Sequence, residues 1–320
     1  MQVPNRDARL DDPERTPPLR RPRPGHADLA GSLKWLTTDC RGTLERASAR
    51  ETAARVAAGS LARGFLRTFG IEVFGFVRSI LDVKATVEVS ESPVRDGSLI
   101  AARDLSEVYC PDEAASARMI EVIRQAKRDK DTVGGIVEAH VVGCPPGLGT
   151  CVNWYENLDS RLAAAVLGIQ AFKGVEIGLG FETTRRPGSQ VHDPIGWDEA
   201  QRDQPSLGFT RERNNAGGIE GGMTNGEPVV VRGAMKPIST LLQGLPSVDL
   251  ETKAADRSQY ERSDVCAVSA ASVVMENVVA FEIAAAFREK FGGDSMREVK
   301  TNYRSYLELA RQLPLDGTRH

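Results

Sequence analysis

The segment from Arg211 to Thr240 carries the residues best suited to bind a flat or phosphorylated ligand. It holds two glycine pairs, Gly217-Gly218 and Gly221-Gly222, and glycine lets the backbone adopt positive φ and approach a ligand closely. The loop from Lys236 to Thr240 adds one cation and two hydroxyl groups, which suit an anion such as phosphate. A glycine-rich hairpin between strands is the alternative interpretation, because isolated glycine motifs recur by chance.

Three further blocks carry charged or titratable side chains: RPRPGHADLAG at 21–31, LERASARETAARVAAG at 44–59 and RSDVCAV at 262–268. Arginine binds carboxylate and phosphate oxygens through a planar fork of N–H donors. If the second block is helical, Arg46 and Arg50 lie four residues apart and share one face of the helix. These blocks therefore suit a ligand with several negative groups, although a lone arginine on a helix is more often simply solvated.

Two titratable side chains lie within these blocks. His26 sits in a rigid Pro-Gly turn, and a histidine can donate or accept a proton at neutral pH. The alternative for His26 is a turn residue bonded to the backbone. Asp264 precedes an apolar run, where it fits the N-cap of a helix as well as a catalytic carboxylate.

In this order the four blocks resemble the chorismate synthase family, and the resemblance runs from about Asn5 to about Leu307. It implies a lyase that converts 5-enolpyruvylshikimate 3-phosphate to chorismate and phosphate by an anti-1,4-elimination. The reaction belongs to the shikimate pathway of aromatic amino acid biosynthesis. It uses reduced FMN without net redox change, with NADPH as reductant where the enzyme reduces its own flavin. The resemblance also implies a cytoplasmic homotetramer.

The resemblance assigns roles to individual residues. His26 matches the histidine that lies by the flavin, and Asp264 matches the aspartate that helps to remove the C6 proton. Substrate-binding roles fall on Arg23, Arg50 and Arg262. The residues that match FMN contacts are Arg46, Ala47, Ser48, Gln190, Val191, Gly221, Lys236, Pro237, Ile238, Ser239, Thr240 and Arg262.

One departure concerns the N-terminal region. Family members begin with a strand, a Ser-His-Gly motif and an arginine-rich loop, whereas only a short arginine-rich and proline-rich segment precedes His26 here. The alternative function is therefore an N-terminally truncated, catalytically impaired remnant that keeps the fold and binds flavin or partner subunits. A plain nucleotide-binding module is disfavoured, because no Walker A or strand–GxGxxG–helix context appears. Whether Met1 is the true start stays open.

Composition narrows the other functions. The chain has 320 residues and a net charge of −3. This overall charge does not favour binding to nucleic acid or to an anionic membrane. The five cysteines form no CxxC pair, which favours free thiols in a reducing cytoplasm. The four histidines have no metal-ligand spacing, so no metal site is expected.

The elements that position these residues follow from periodicity and the resemblance. The composition of residues 1–24 predicts an extended arm. Residues 25–320 are predicted to form a single α+β domain. The resemblance implies a β-α-β sandwich, with central helices between two antiparallel sheets, one of them incomplete for want of the N-terminal strands. The predicted helices are 45–69, 112–129, 158–172 and 266–287, and the last of them is predicted to lie in the core. The predicted strands are 71–77, 85–89, 137–142, 175–181 and 229–231. Residues 182–213 are predicted to form a long surface loop.

Overall fold

The computed structural model describes residues 2–4, 14, 16–261 and 263–313. Its α-helices are α1 (Asp28–Trp35), α2 (Arg41–Arg46), α3 (Thr52–Arg67), α4 (Glu91–Arg95), α5 (Ser98–Leu105), α6 (Glu113–Arg128), α7 (Leu158–Leu167), α8 (Gly188–Val191), α9 (Val268–Phe291) and α10 (Met296–Ala310). Its strands are β1 (Glu72–Ile80), β2 (Val83–Lys84), β3 (Gly135–Val142), β4 (Phe172–Ile177), β5 (Ile195–Trp197), β6 (Phe209–Arg211), β7 (Ile219–Glu220), β8 (Met223–Thr224), β9 (Val229–Met235), β10 (Pro246–Val248) and β11 (Ala255–Arg257).

Five strands form the main sheet, in the order β2-β1-β3-β9-β4, and every neighbouring pair is antiparallel. Side chains alternate between the two faces of a strand. On β1, Val73 and Val77 join the core cluster shared with α3, α7 and α9, while Phe74 and Phe76 pack towards α4 and α5 on the opposite face. Three two-stranded ribbons complete the strands of the described residues, in agreement with the predicted α+β class.

The long helix α9 forms the centre of the core, as predicted from its apolar run. Helix α3 packs closely against it at Gly59, where an added Cβ would lie 2.3 Å from the backbone oxygen of Asn277. Length and composition alone would also suit a membrane span, but 67% of its most apolar window is buried inside the fold. The predicted core role of this helix is therefore confirmed.

Several other predicted elements are confirmed with shifted ends. Helix α6 begins after Asp112, whose carboxylate accepts a hydrogen bond from the Ala115 amide at 2.9 Å and so caps the helix. Strands β3 and β9 extend the predicted runs by a few residues. Helix α7 ends at Leu167, and the chain enters β4 at Phe172, earlier than predicted.

Three predictions of local structure are wrong. The helix predicted over 45–69 is interrupted at Ala47 and Ser48. The strand predicted over 85–89 does not form, and β2 consists only of Val83–Lys84. The predicted loop over 182–213 contains α8, two short 3-10 helices and the β5-β6 ribbon.

The end of the predicted N-terminal arm packs onto the domain. Leu19 is fully buried in a small cluster with Cys40 and Leu250, and its backbone N–H donates to the Asp39 carboxylate at 2.8 Å. Arg23 is also buried. These contacts hold the start of the block that contains His26 in a fixed place.

Candidate functional site

A buried carboxylate organises the turn that precedes α1. Asp28 has no exposed surface, and its Oδ2 accepts hydrogen bonds from the Arg23 backbone N–H at 3.0 Å and from Arg23 Nε at 2.8 Å. Its Oδ1 pairs with Nδ1 of His26. The backbone N–H of His26 donates to the Arg23 carbonyl at 3.2 Å and closes the turn. One carboxylate thus fixes both the predicted substrate arginine and the predicted catalytic histidine.

The charge on Asp28 is stabilised inside the protein. Burial alone would raise the pKa of this carboxyl group, but hydrogen bonds from His26 and Arg23 outweigh it and hold the pKa well below its usual range. Asp28 is therefore ionised at neutral pH. Its negative charge compensates the guanidinium of Arg23, which is only 6% exposed.

The turn contacts the loop at Lys236 to Thr240, although the two lie far apart in the sequence. Arg23 Nη1 donates to the Thr240 hydroxyl at 2.8 Å across 217 positions of the chain. Gly25 has φ of 78°, and an added Cβ there would lie 3.7 Å from Ser239 Cβ. The backbone of the turn therefore runs directly against this loop.

The same loop is anchored to the end of the main sheet. The Lys236 backbone N–H donates to the Ala171 carbonyl at 3.0 Å, and the Thr132 hydroxyl donates to the Ile238 carbonyl at 2.7 Å. Within the described part of the chain, Lys236 forms no ion pair. Burial, together with the nearby positive charge of Lys173, lowers the pKa of its ammonium group. An uncompensated, half-buried cation beside two hydroxyl groups suits a bound phosphate.

The arginine block lies at this same end, but its local structure differs from the prediction. Arg46 ends α2, and the Ser48 hydroxyl accepts from the Arg50 N–H at 3.4 Å to start a new 3-10 turn. The two arginines therefore do not share one helical face. Arg50 is exposed and pairs with Glu45 at 3.2 Å.

A side-chain hydrogen bond places this block near the loop. The carboxylate of Glu51 accepts from Gln170 Nε2 at 2.5 Å, and the next residue, Ala171, accepts from the Lys236 N–H. Burial would raise the pKa of Glu51, but hydrogen bonds from Gln170 and Arg55 lower it, and the charge of nearby Arg46 adds to the lowering. Residues 46–48 therefore lie at the Lys236 end of the sheet.

Asp264 does not cap a helix, so the alternative role predicted for it, as an N-cap, is wrong. Helix α9 begins at Val268 after Ala267, with no side-chain cap, because the chain bends before the helix starts. The Asp264 side chain is exposed. Its neighbour Val265 accepts from the Val133 N–H at 3.0 Å, adjacent to the Thr132 that holds the loop. Asp264 thus lies near the loop, and its carboxylate has no hydrogen-bond or ion-pair partner within the part of the chain that the structure describes, which does not include Arg262.

The remaining predicted flavin contacts lie at the other end of the sheet. Gly221 forms the tip of the β7-β8 ribbon with φ of 57°, and Asn215 Nδ2 donates to the carbonyls of Gln190 and Val191 at 3.2 and 2.9 Å. Strand β9 separates this end from Lys236 by about 20 Å, at roughly 3.3 Å per residue. A single copy of the chain does not bring the two sets together.

Two residues of this arrangement, Asp28 and Thr132, were not predicted from the sequence. Asp28 stands two positions after His26 in the same block, so the spacing of a carboxylate beside a histidine was a usable signal. Thr132 carried no such signal, because its partner Ile238 is distant in the sequence. Among the described residues, no group of three or more histidine, cysteine, aspartate or glutamate side chains could hold a metal ion.

Comparison with known proteins gives one consistent result. The family profile described as "Chorismate synthase" matches residues 1–287. A chorismate synthase from Symbiobacterium thermophilum is 56% identical over 303 residues, covering 94% of this chain and 75% of the relative. A chorismate synthase from Geobacter metallireducens is 55% identical, covering 92% and 74%.

A solved structure agrees with the sequence relatives. A crystal structure of chorismate synthase is similar with a TM-score of 0.71 at 41% identity, covering 89% of this chain and 77% of that one. Identity at this level over most of the chain does not favour the impaired-remnant alternative. The resemblance predicted from the motifs is confirmed, and the chain belongs to the chorismate synthase family of lyases.

Proposed function

We propose that this chain converts 5-enolpyruvylshikimate 3-phosphate to chorismate and phosphate with reduced FMN as cofactor. In the elimination, the C–O bond to phosphate breaks with its electron pair, C6 loses a proton, and a new double bond forms. The observation that carries the proposal is the contact between the Arg23–His26–Asp28 turn and the loop at Lys236 to Thr240. It joins two of the motifs that define the family resemblance into one polar surface.

The residues present fit the flavin's phosphate group. Lys236 supplies a half-buried cation that has no ion-pair partner among the described residues, and Ser239 and Thr240 of the same loop supply hydroxyl groups. Arg46, Ala47 and Ser48 lie at the same end and would hold another part of the cofactor, together with Pro237, Ile238 and Arg262. When bound, reduced FMN supplies electron density to the departing phosphate and recovers it. NADPH as its reductant is part of the proposal.

The other site residues would act on the substrate. Arg23, Arg50 and Arg262 bind its phosphate and carboxylates, since guanidinium forks suit such groups. His26 would hold a proton at a ring nitrogen for transfer to or from the bound flavin. Asp264 takes part in removing the C6 proton, and its exposure leaves the carboxylate available for this role.

We extend the proposal to a homotetramer in the cytoplasm. Gln190, Val191 and Gly221 lie about 20 Å from Lys236 along β9, and we propose that a second copy of the chain supplies them to the flavin site. A shared site gives a physical reason for assembly. Cytoplasmic location is supported by the cysteines of the described residues, which are all free.

A fluorescence titration of FMN with and without 5-enolpyruvylshikimate 3-phosphate tests the proposal. We expect FMN to bind more tightly with substrate present, by about 1 kcal/mol or roughly fivefold, because both ligands order the same residues. By linkage, FMN must strengthen substrate binding by the same factor. Equal FMN affinity in the two titrations would mean that the substrate pocket is not assembled, and the remnant alternative would then be better supported.

A further inference from the structure

Asp28 contacts both predicted reactive groups of the turn and is not among the predicted site residues. Its Oδ1 pairs with His26 Nδ1, and its Oδ2 accepts two hydrogen bonds from Arg23. We infer that Asp28 is a positioning residue that fixes His26 in the tautomer with the proton on Nδ1 and holds Arg23 against Thr240. The catalytic part of this inference rests on the proposed function, whereas the tautomer does not.

The tautomer follows from which atoms carry protons. An ionised carboxylate can only accept hydrogen bonds, so the proton between Asp28 and His26 belongs to Nδ1. Arg23 Nη2 also lies 3.0 Å from Nδ1, but the guanidinium has no acceptor and cannot bond a protonated nitrogen. It donates instead to Asp28 Oδ1 at 3.1 Å. In this tautomer Nε2 is the unprotonated ring nitrogen that can accept a proton; Arg23 Nη2 lies 3.4 Å from it, and the His26 side chain is 20% exposed.

The chain contains a second carboxylate–histidine pair that provides a matched control. Glu138 accepts from Nε2 of His140 at 2.6 Å, so that pair uses the other ring nitrogen. His140 Nδ1 is buried and has no hydrogen-bond partner among the described residues, and the Glu138 side chain is 1% exposed. Neutralising Glu138 removes a buried charge of the same kind in the middle of the sheet, where Glu138 pairs with Arg232 of β9.

Asp28→Asn is the informative substitution because its amide has only one acceptor oxygen. The Arg23 backbone N–H and Nε both require an acceptor at the Oδ2 position, so the asparagine oxygen is held there. Its NH₂ group then faces His26 Nδ1, which must accept rather than donate. The substitution therefore reverses the tautomer while keeping the size of the side chain.

The experiment uses ¹⁵N-histidine NMR of the full chain at a pH where histidine is neutral. The four histidines give four sets of signals, and loss of one set in His26→Gln assigns His26. We expect the Nδ1–H form in the wild type and the Nε2–H form in Asp28→Asn. We also expect kcat with reduced FMN and 5-enolpyruvylshikimate 3-phosphate to fall about 100-fold in Asp28→Asn. Glu138→Gln should change neither the His26 tautomer nor the kcat per folded molecule.

Two outcomes overturn the inference. The first is an Nε2–H tautomer of His26 in the wild type, which is measurable even if Asp28→Asn fails to fold. The second is a folded Asp28→Asn protein that keeps the Nδ1–H form or the wild-type kcat. A wild type that shows the Nδ1–H form but no turnover at all would instead contradict the proposed function and leave the positioning role of Asp28 intact.

Discussion

Two buried clusters in this protein combine a carboxylate, a histidine and arginine, yet they differ in access. The turn cluster consists of Arg23, His26 and Asp28, and its histidine side chain is 20% exposed next to the loop at Lys236 to Thr240. The sheet cluster consists of Glu138 and His140 on β3 with Arg78 and Arg232 on the neighbouring strands. Its histidine side chain is 8% exposed. The histidine of the turn cluster is therefore accessible to a ligand, whereas the histidine of the sheet cluster is buried.

The sheet cluster is built to hold strands together. Glu138 accepts from Arg78 Nε at 2.9 Å and from Arg232 Nε at 2.7 Å, which links three adjacent strands. Arg78 also donates to the carbonyls of Ala85 and Val87, at 3.2 and 3.1 Å. Burial would raise the pKa of Glu138, but hydrogen bonds from His140 and Arg78 hold it well below its usual range. A strongly perturbed carboxyl group is therefore no sign of catalysis by itself.

Asp264→Ala should strongly reduce activity without weakening the fold, although Asp264 belongs to neither cluster. Among the residues that the structure describes, the exposed carboxylate has no partner comparable to those of Asp28 or Glu138, so its removal should leave the melting temperature and FMN affinity nearly unchanged. Turnover should fall by ~10²–10⁴-fold, the usual effect of removing a general acid or base. Stopped assays of chorismate formation, with circular dichroism for folding, measure both. If the variant did not fold, the catalytic assignment of Asp264 would lose its support.

Glu138→Ala should act on stability instead. Removing one partner of a buried ion pair leaves Arg78 and Arg232 without their shared carboxylate and typically costs about 3–5 kcal/mol. Urea unfolding monitored by circular dichroism should show this loss, with kcat per folded molecule unchanged at a permissive temperature. A stable variant with impaired turnover would contradict the division of roles between the two clusters.

Acid should weaken the protein through both clusters. Asp28 and Glu138 have pKa values below their unfolded values of 3.8 and 4.5, so their contribution is present above those values and is lost as pH falls through and below them. We expect the free energy of unfolding to decrease from about pH 5 towards pH 3. Glu138→Gln should show a shallower decrease, because one of the two groups no longer titrates. Parallel curves for wild type and variant would show that Glu138 is not ionised in a favourable pair.

Much of the fold could be predicted from local patterns. The core role of α9 followed from an apolar run interrupted by few charges, and α6 followed from periodicity. The break at Ser48 was not predicted, because the alanine-rich sequence around it has helix propensity. There the Ser48 hydroxyl accepts from the Arg50 N–H and caps a new 3-10 turn, a local signal that Ser48 and Glu51 carry as a capping-box pattern. Asp264 fitted an N-cap by position, but the bend before Val268 depends on tertiary contacts.

The motifs of the candidate site could be predicted from the sequence, but their three-dimensional arrangement could not. The blocks holding His26, Arg46 and Lys236 were identified separately, and all three lie at one end of the sheet. Their contacts pass through Arg23 and Thr240, Thr132 and Ile238, and Glu51 and Gln170, each pair more than 100 positions apart. Sequence spacing carries no information about such pairs. The separation of Gly221 from Lys236 likewise depends on the direction of β9.

The measurement that tests the division of roles most directly compares His26→Gln with His140→Gln. Both replace a carboxylate-bonded imidazole with the same side chain, and both are assayed anaerobically with reduced FMN and 5-enolpyruvylshikimate 3-phosphate. His26→Gln should lower kcat by ~10²–10⁴-fold with little loss of stability, because its ring is the accessible one. His140→Gln should keep kcat within about twofold, corrected for the folded fraction, while unfolding at lower urea. Wild-type turnover in His26→Gln, or an equal loss in His140→Gln, would contradict the assignment of the turn cluster as the active one.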